Sequence, residues 1–137
     1  MIDWKTYNPE VVEEFRANAG RVERFGGLPM VILHTVGAKS GTVREVPLIV
    51  VEHEAELLLF GTAMGAPKHP DWVWNLRANP RIEVEYRTER FTADVVQLTG
   101  DEADAWIRRQ SKIPQFADYQ ANAAPRVIPV FRIERVS

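Results

Sequence analysis

Gly37-Ala38-Lys39-Ser40-Gly41-Thr42, followed closely by Arg44, gathers groups that bind anions. Two glycines let the backbone turn and approach a ligand closely. Consecutive backbone N–H groups in such a turn form a concavity for negative charge. Lys39 and Arg44 add full positive charge, and Ser40 and Thr42 add hydroxyl donors. A plain turn joining two strands is the other reading of this stretch, and its residues alone leave both open.

Other chemistries find little support. A phosphate-binding P-loop needs glycine before Lys-Ser and a helix after it, whereas Ala38 precedes Lys39 and an apolar, strand-like run follows. No G-x-G-x-x-G or G-x-S-x-G occurs. The histidines, His34, His53 and His69, do not make an H-E-x-x-H pattern, so no metal site is expected. Glu83 and Glu85 share one face of a presumed strand and read as solvated. The chain has no cysteine, which removes thiolate nucleophiles, disulfides and cysteine metal ligands. An enzyme built this way would take its reactive group from a bound cofactor.

The elements that must position the anion-binding groups are legible in outline. Asn8-Pro9-Glu10 predicts a helix start, with Asn8 as N-cap and Pro9 in the first helical position. Val11, Val12, Phe15, Ala19 and Val22 follow at helical spacing, and Gly26-Gly27 before Pro29 closes the segment. Strands are expected at Met30–Thr35, Val46–Glu52 and Leu57–Thr62, with a hairpin at 53–56 and Pro47 marking an edge or a bulge. A small-residue loop from Gly61 to Pro67 leads to a short helix from about Pro70 to Ala78, stopped by Pro80. Arg81–Tyr86 and Phe91–Leu98 read as a second hairpin, 101–109 and 114–119 as helical, and Val127–Val136 as a last strand. Trp74 and Leu76 are expected in the core. Strands joined by hairpins, with helices in only two interruptions, give an α+β, mainly β class: an antiparallel sheet or small barrel with added helices.

The 137 residues, 45% apolar and 26% charged, suit a single globular domain, with 1–29 as N-terminal helix and linker and 30–137 as the β body. A net charge of −2 gives no pull towards nucleic acid. No apolar stretch approaches the ~18 residues needed to span a bilayer. Met1–Lys5 lacks the basic-then-apolar pattern of a secretion signal, so the expected location is cytoplasmic. The amphipathic first helix leaves weak contact with a membrane surface as an open role.

The motif Thr35-x-Gly37-x-Lys39-Ser40-Gly41-x-x-Arg44-x-x-Pro47-Leu48 is followed by Pro70-x-Trp72-x-x-Asn75-Leu76-x-Ala78-Asn79-Pro80. Together they resemble the deazaflavin-dependent nitroreductase family, also called F420H2-dependent quinone reductases. The resemblance covers nearly the whole chain and includes the Asn8-Pro9 and Gly26-Gly27 segments. It implies a split β-barrel like that of FMN-binding oxidoreductases, with reduced F420 as hydride donor. Lys39, Ser40, Gly41 and Arg44 would hold the cofactor's phosphate and acidic tail. Pro47, Ile49, Thr62, Ala63 and Met64 would lie against the deazaflavin ring, with Asp71 and Trp72 near the phosphate.

Relatives with nitroreductase activity often carry lysine where Met64 stands, and Lys68 is the substitute at hand. Where relatives place several tyrosines over the substrate, this chain has Ile113, Phe116 and Tyr119. That set favours a quinone or conjugated enone over a nitro compound, with Tyr119 as candidate proton donor. The rival readings are an FMN-dependent enzyme on the same fold and a non-catalytic F420-binding protein. The chain would be a monomer or a dimer.

Overall fold

The computed structural model describes residues 4–136. The segment Met1–Asp3, read above as lacking a secretion signal, lies outside the described residues. Helix α1 (Trp4–Ala17) precedes strands β1 (Met30–Val36), β2 (Val43–Ile49), β3 (Val51–His53) and β4 (Glu56–Phe60). Helix α2 (Asp71–Ala78), strands β5 (Arg81–Tyr86) and β6 (Glu89–Gln97), helices α3 (Gly100–Gln110) and α4 (Pro114–Ala123), and strand β7 (Val130–Arg135) complete the order.

The seven strands form one antiparallel sheet in the order β2-β1-β5-β6-β7-β4-β3. Its two edge strands, β2 and β3, are separated in the chain by Val50 alone, so the sheet curls into a half-open barrel. The sequence predicts one strand over 46–52. The structure breaks it at Val50, whose N–H makes the last in-register bond on the β1 side, to Pro29 O at 2.9 Å. Before Val50 the chain pairs with β1, and after it with β4. Pro47 does sit on an edge strand, where its missing N–H costs no ladder bond to a second neighbour.

Strand alternation sorts residues between the two faces of the curled sheet. Val31, Leu33, Leu59, Ile82, Val84, Phe91, Ala93, Val95, Phe131 and Ile133 point inward. Helix α2 plugs the interior with Trp72, Val73 and Leu76. On the outer face, Val11, Val12 and Phe15 of α1 cover Met30 and Ile32. Elsewhere on that face, Trp106 and Ile107 of α3 pack on Leu58, Leu98 and Val130.

Two local expectations shift. Helix α1 begins at Trp4, leaving Pro9 inside it. No breaker stands between Trp4 and Tyr7, so the helix runs on before the proline and forgoes the one bond that a proline nitrogen cannot donate. At its other end Ala19 is not a core position; it is exposed at φ 56°.

Candidate active site

The loop between β1 and β2 is closed on itself and tied down by α2. Gly37 N donates to Thr42 O at 2.9 Å, and Gly41 N donates to Gly37 O at 3.0 Å. Gly41 has φ +69°, and a Cβ at Gly37 would collide with Ser40 Oγ. Gly41 therefore needs glycine, and a side chain at Gly37 would push the Ser40 hydroxyl from its place. Ser40 Oγ accepts from Thr42 N at 3.1 Å and keeps its own proton to donate.

Two asparagines of the second motif hold this loop. Asn75 Oδ1 accepts from Ala38 N at 2.9 Å, and Asn79 Nδ2 donates to Val36 O at 3.4 Å. The spacing of four puts Asn75 and Asn79 on one side of α2 and its C-cap. The two sequence motifs are thus parts of one structure, the second serving as mount for the first. Lys39, Ser40, Gly41 and Arg44 are all exposed. Among the described residues neither Lys39 nor Arg44 has a carboxylate partner, so the loop keeps its positive charge despite the net −2; Lys68, before α2, has none either.

The register divides the β2 candidates. Arg44 pairs with Thr35 and shares the inward face with Val46 and Leu48, whereas Pro47 and Ile49 pair with Ile32 and Met30 on the outer face. Ile49 is 44% exposed there. Continuing the pairing of β3 on β4 past Val50 would set Ile49 across from Phe60. The seam of the barrel therefore opens between Ile49 and the loop that starts at Gly61.

That loop is clamped by a residue the sequence did not single out. Arg126 donates to Gly61 O and Thr62 O, each at 2.8 Å, and to Ala66 O at 3.0 Å. It also donates to His69 Nδ1 at 2.9 Å. Arginine has only donors, so Nδ1 accepts and the ring proton sits on Nε2. Burial, then the charges of Arg126 and Arg77, lower the His69 pKa and keep the ring neutral. A lone arginine after Pro125 carries no sequence motif, so no signal could have found it.

With its carbonyls turned to Arg126, the loop takes a short helical turn at Ala63–Gly65, in which Ala63 (φ 47°) and Met64 (φ 54°) are left-handed. Thr62 before them is right-handed (φ −72°, ψ −39°), and such a change of hand turns successive N–H groups to one side. Gly65 abuts α4: a Cβ there would lie 3.1 Å from Tyr119 Cα and from Tyr119 O. Tyr119 is half-buried beside the loop, Met64 is exposed, and Ile113 is exposed at the start of α4.

Phe116 is only 6% exposed, with its ring edge-on to Phe60 at 5.5 Å. Trp72 is 8% exposed against Phe131. Both offer a ligand a rim at most. Asp71 and Lys68 are exposed at and before the start of α2. The expectation for Trp74 is corrected: it is 51% exposed, with Arg77 stacked over it at 4.8 Å and His69 at 5.4 Å. Only Trp72, Val73 and Leu76 fit the inward stripe of so short a helix.

Glu85 corrects a second expectation. Its side chain is 13% exposed, not solvated. Arg16 of α1 donates to it through Nε at 3.0 Å and Nη2 at 2.7 Å and also bonds Glu45, while His34 Nε2 lies 2.7 Å away. The Arg16 hydrogen bonds hold the Glu85 carboxyl down to about 2, assisted by His34. His34, Glu45 and Glu85 bring potential metal-ligand atoms within 4.8 Å of one another, but the guanidinium of Arg16 already supplies the positive charge. The pairing of β5 with β1 and the placement of α1 create this cluster, and neither is visible in the spacing of the acids.

Residues 7–135 match the family model described as F420H(2)-dependent quinone reductase. The chain belongs to this family. An F420H(2)-dependent quinone reductase of Mycobacterium tuberculosis H37Rv is 32% identical over 127 residues, covering 88% of this chain and 85% of the relative. A solved F420-H2 dependent reductase is 36% identical with a TM-score of 0.66, covering 77% of this chain and 94% of the other. Another solved structure, described as a domain-swapped dimer, is 33% identical with a TM-score of 0.68, covering 96% and 98%. As a member of the F420H(2)-dependent quinone reductase family the chain is an oxidoreductase with F420 as its cofactor. The FMN alternative has no support from these relatives.

Proposed function

We propose that this reductase passes a hydride from reduced F420 to a planar, electron-poor small molecule, a quinone or conjugated enone ahead of a nitro compound. The observation that carries the reading is the mounting of the Gly37–Thr42 loop on Asn75 and Asn79 beside Lys39 and Arg44, which have no carboxylate partner among the described residues.

Lys39, Ser40, Gly41 and Arg44 would hold the cofactor's phosphate and acidic tail, through charge-assisted bonds suited to Arg and Lys. Lys68 would supply the charge that Met64 does not, and Asp71 and the rim of Trp72 would flank the phosphate. Pro47, Ile49, Thr62 and the backbone N–H groups of Ala63 and Met64 would face the ring. Arg44 and Pro47 lie on opposite faces of β2, so a molecule touching both must lap over the free edge of that strand. The edge position of β2 leaves room for this.

Reduced F420 supplies the hydride when bound. The chain's residues bind, orient and exclude water. Ile113, Tyr119 and the rim of Phe116 would form the acceptor's side of the pocket, and the Tyr119 hydroxyl would deliver a proton to the reduced product.

Two assembly questions follow the same evidence. The dimeric relative supports a dimer for this chain too, to be read by sedimentation. The apolar face of α1 packs on Met30 and Ile32, which argues against its use on a membrane, and no helix among the described residues is long and apolar enough to cross one. The test of the main reading is anaerobic mixing of F420H2 with a naphthoquinone, with and without the protein. Protein-dependent oxidation supports it. Tight F420 binding without turnover of any acceptor would make this a cofactor-binding protein only.

A further inference from the structure

A cavity of about 430 Å³ lies between the open edge of β3 and the junction of α3 with α4, lined by Val51, Glu52, His53, Arg109, Lys112 and Ile113. Its volume falls in the range of small-molecule sites. Its charge is one-sided. Arg109 and Lys112 have no carboxylate partner among the described residues. Glu52, the one acid in the lining, is engaged by Arg87 Nη2 at 3.2 Å. The Arg109 guanidinium lies 5.9 Å from the Trp106 ring centroid, and His53 meets the same ring edge-on at 5.2 Å. His53 Nε2 is 3.9 Å from the exposed Glu54, which does not line the cavity. Val51 and Ile113 supply apolar wall. Two cations beside apolar walls suit a flat apolar molecule that carries an acidic group.

The place of the cavity decides which molecule. Val51 lies two residues beyond Ile49, and Ile113 belongs to the acceptor's side of the pocket. Lys39 and Arg44 stand towards the other end of β2: Arg44 to Ile49 alone is about 17 Å of extended strand, before the break at Val50. One phosphate cannot occupy both ends. Resting on the reading of the ring over Pro47 and Ile49, we propose that this cavity takes the anionic substituent of the acceptor, so that carboxylated or sulfonated quinones and enones are preferred over neutral ones.

The test compares 1,4-naphthoquinone with its 2-sulfonate as acceptors for F420H2, in wild type, Arg109→Gln/Lys112→Gln, and the charge-keeping Arg109→Lys/Lys112→Arg. The wild type should favour the sulfonate at least tenfold in kcat/KM, chiefly through KM. That ratio should fall towards one in the glutamine variant and survive in the charge-keeping one. A wild-type ratio near one, or a ratio unmoved by the glutamine changes, overturns the proposal. Loss of F420 affinity in the glutamine variant also overturns it, because the cavity would then hold the cofactor's acidic tail.

Should neither quinone turn over, the reading of the main site fails separately. Quenching of Trp106 by anthraquinone-2-sulfonate, taken as the difference from Trp106→Phe, then decides the matter. Quenching lost in the glutamine variant supports the anion site, and equal quenching in both refutes it.

Discussion

Replacing Arg126 with alanine removes three hydrogen bonds to the carbonyls of Gly61, Thr62 and Ala66 and a fourth to His69. A bond from a charged donor contributes about 1.5–3 kcal/mol. The four do not simply add. Burial works against the guanidinium and lowers its pKa, and water can reach some of the released carbonyls. A net loss of about 3 kcal/mol is expected, which for 137 residues corresponds to about 10 °C in Tm. Arg126→Lys keeps the charge but reaches fewer acceptors, and should lose roughly half as much. Urea unfolding measures the first quantity and an F420 titration the second. With the loop no longer held against the seam, affinity should fall at least about tenfold, or about 1.4 kcal/mol. If Arg126→Ala unfolds within about 0.5 kcal/mol of wild type and binds F420 equally well, the clamp does not shape the site. A loss of affinity without a loss of stability would place Arg126 in direct contact with the ligand.

Arg44→Ala should weaken F420 binding by about 1.5–3 kcal/mol, the size of one hydrogen bond to a charged group, with unfolding unchanged; equal affinity in the folded variant removes Arg44 from the cofactor site. Tyr119→Phe should lower kcat about tenfold or more with little change in KM if the hydroxyl delivers the proton, and should leave kcat alone if Tyr119 is only a wall. Glu85 is held below its ordinary 4.5, so its contribution is present above that value and is lost as pH falls towards about 2. Allowing for the half-exposed Arg16, the wild type should lose about 1–2 kcal/mol more than Glu85→Gln between pH 5 and pH 2.5, read from urea midpoints. Parallel curves would mean that the Arg16 contacts do not act in solution.

What the sequence disclosed followed local rules. The alternation of Ile82 and Val84 against Glu83 marked β5 with its observed bounds, and Pro70 and Pro80 framed α2 within a residue. The glycine-lysine loop stood out because few side chains can occupy such a turn. What stayed hidden was non-local. The break at Val50 arises because one strand must leave β1 for β4, and nothing at Val50 itself says so. Glu85 looks like any outward acid until α1 is laid across it. Asn75 and Asn79 matched a motif, but their purpose appears only when Ala38 and Val36 are folded against them. Arg126 contributes through backbone carbonyls, which carry no side-chain pattern to read.

The central claim, that the Lys39–Arg44 loop and the seam beside Ile49 form an F420 site, is tested most directly by fluorescence titration of the wild-type chain with oxidised F420 and, in parallel, with FMN. The account predicts saturable, tight binding of F420 and none of FMN. Binding of FMN alone, or of neither, would contradict it.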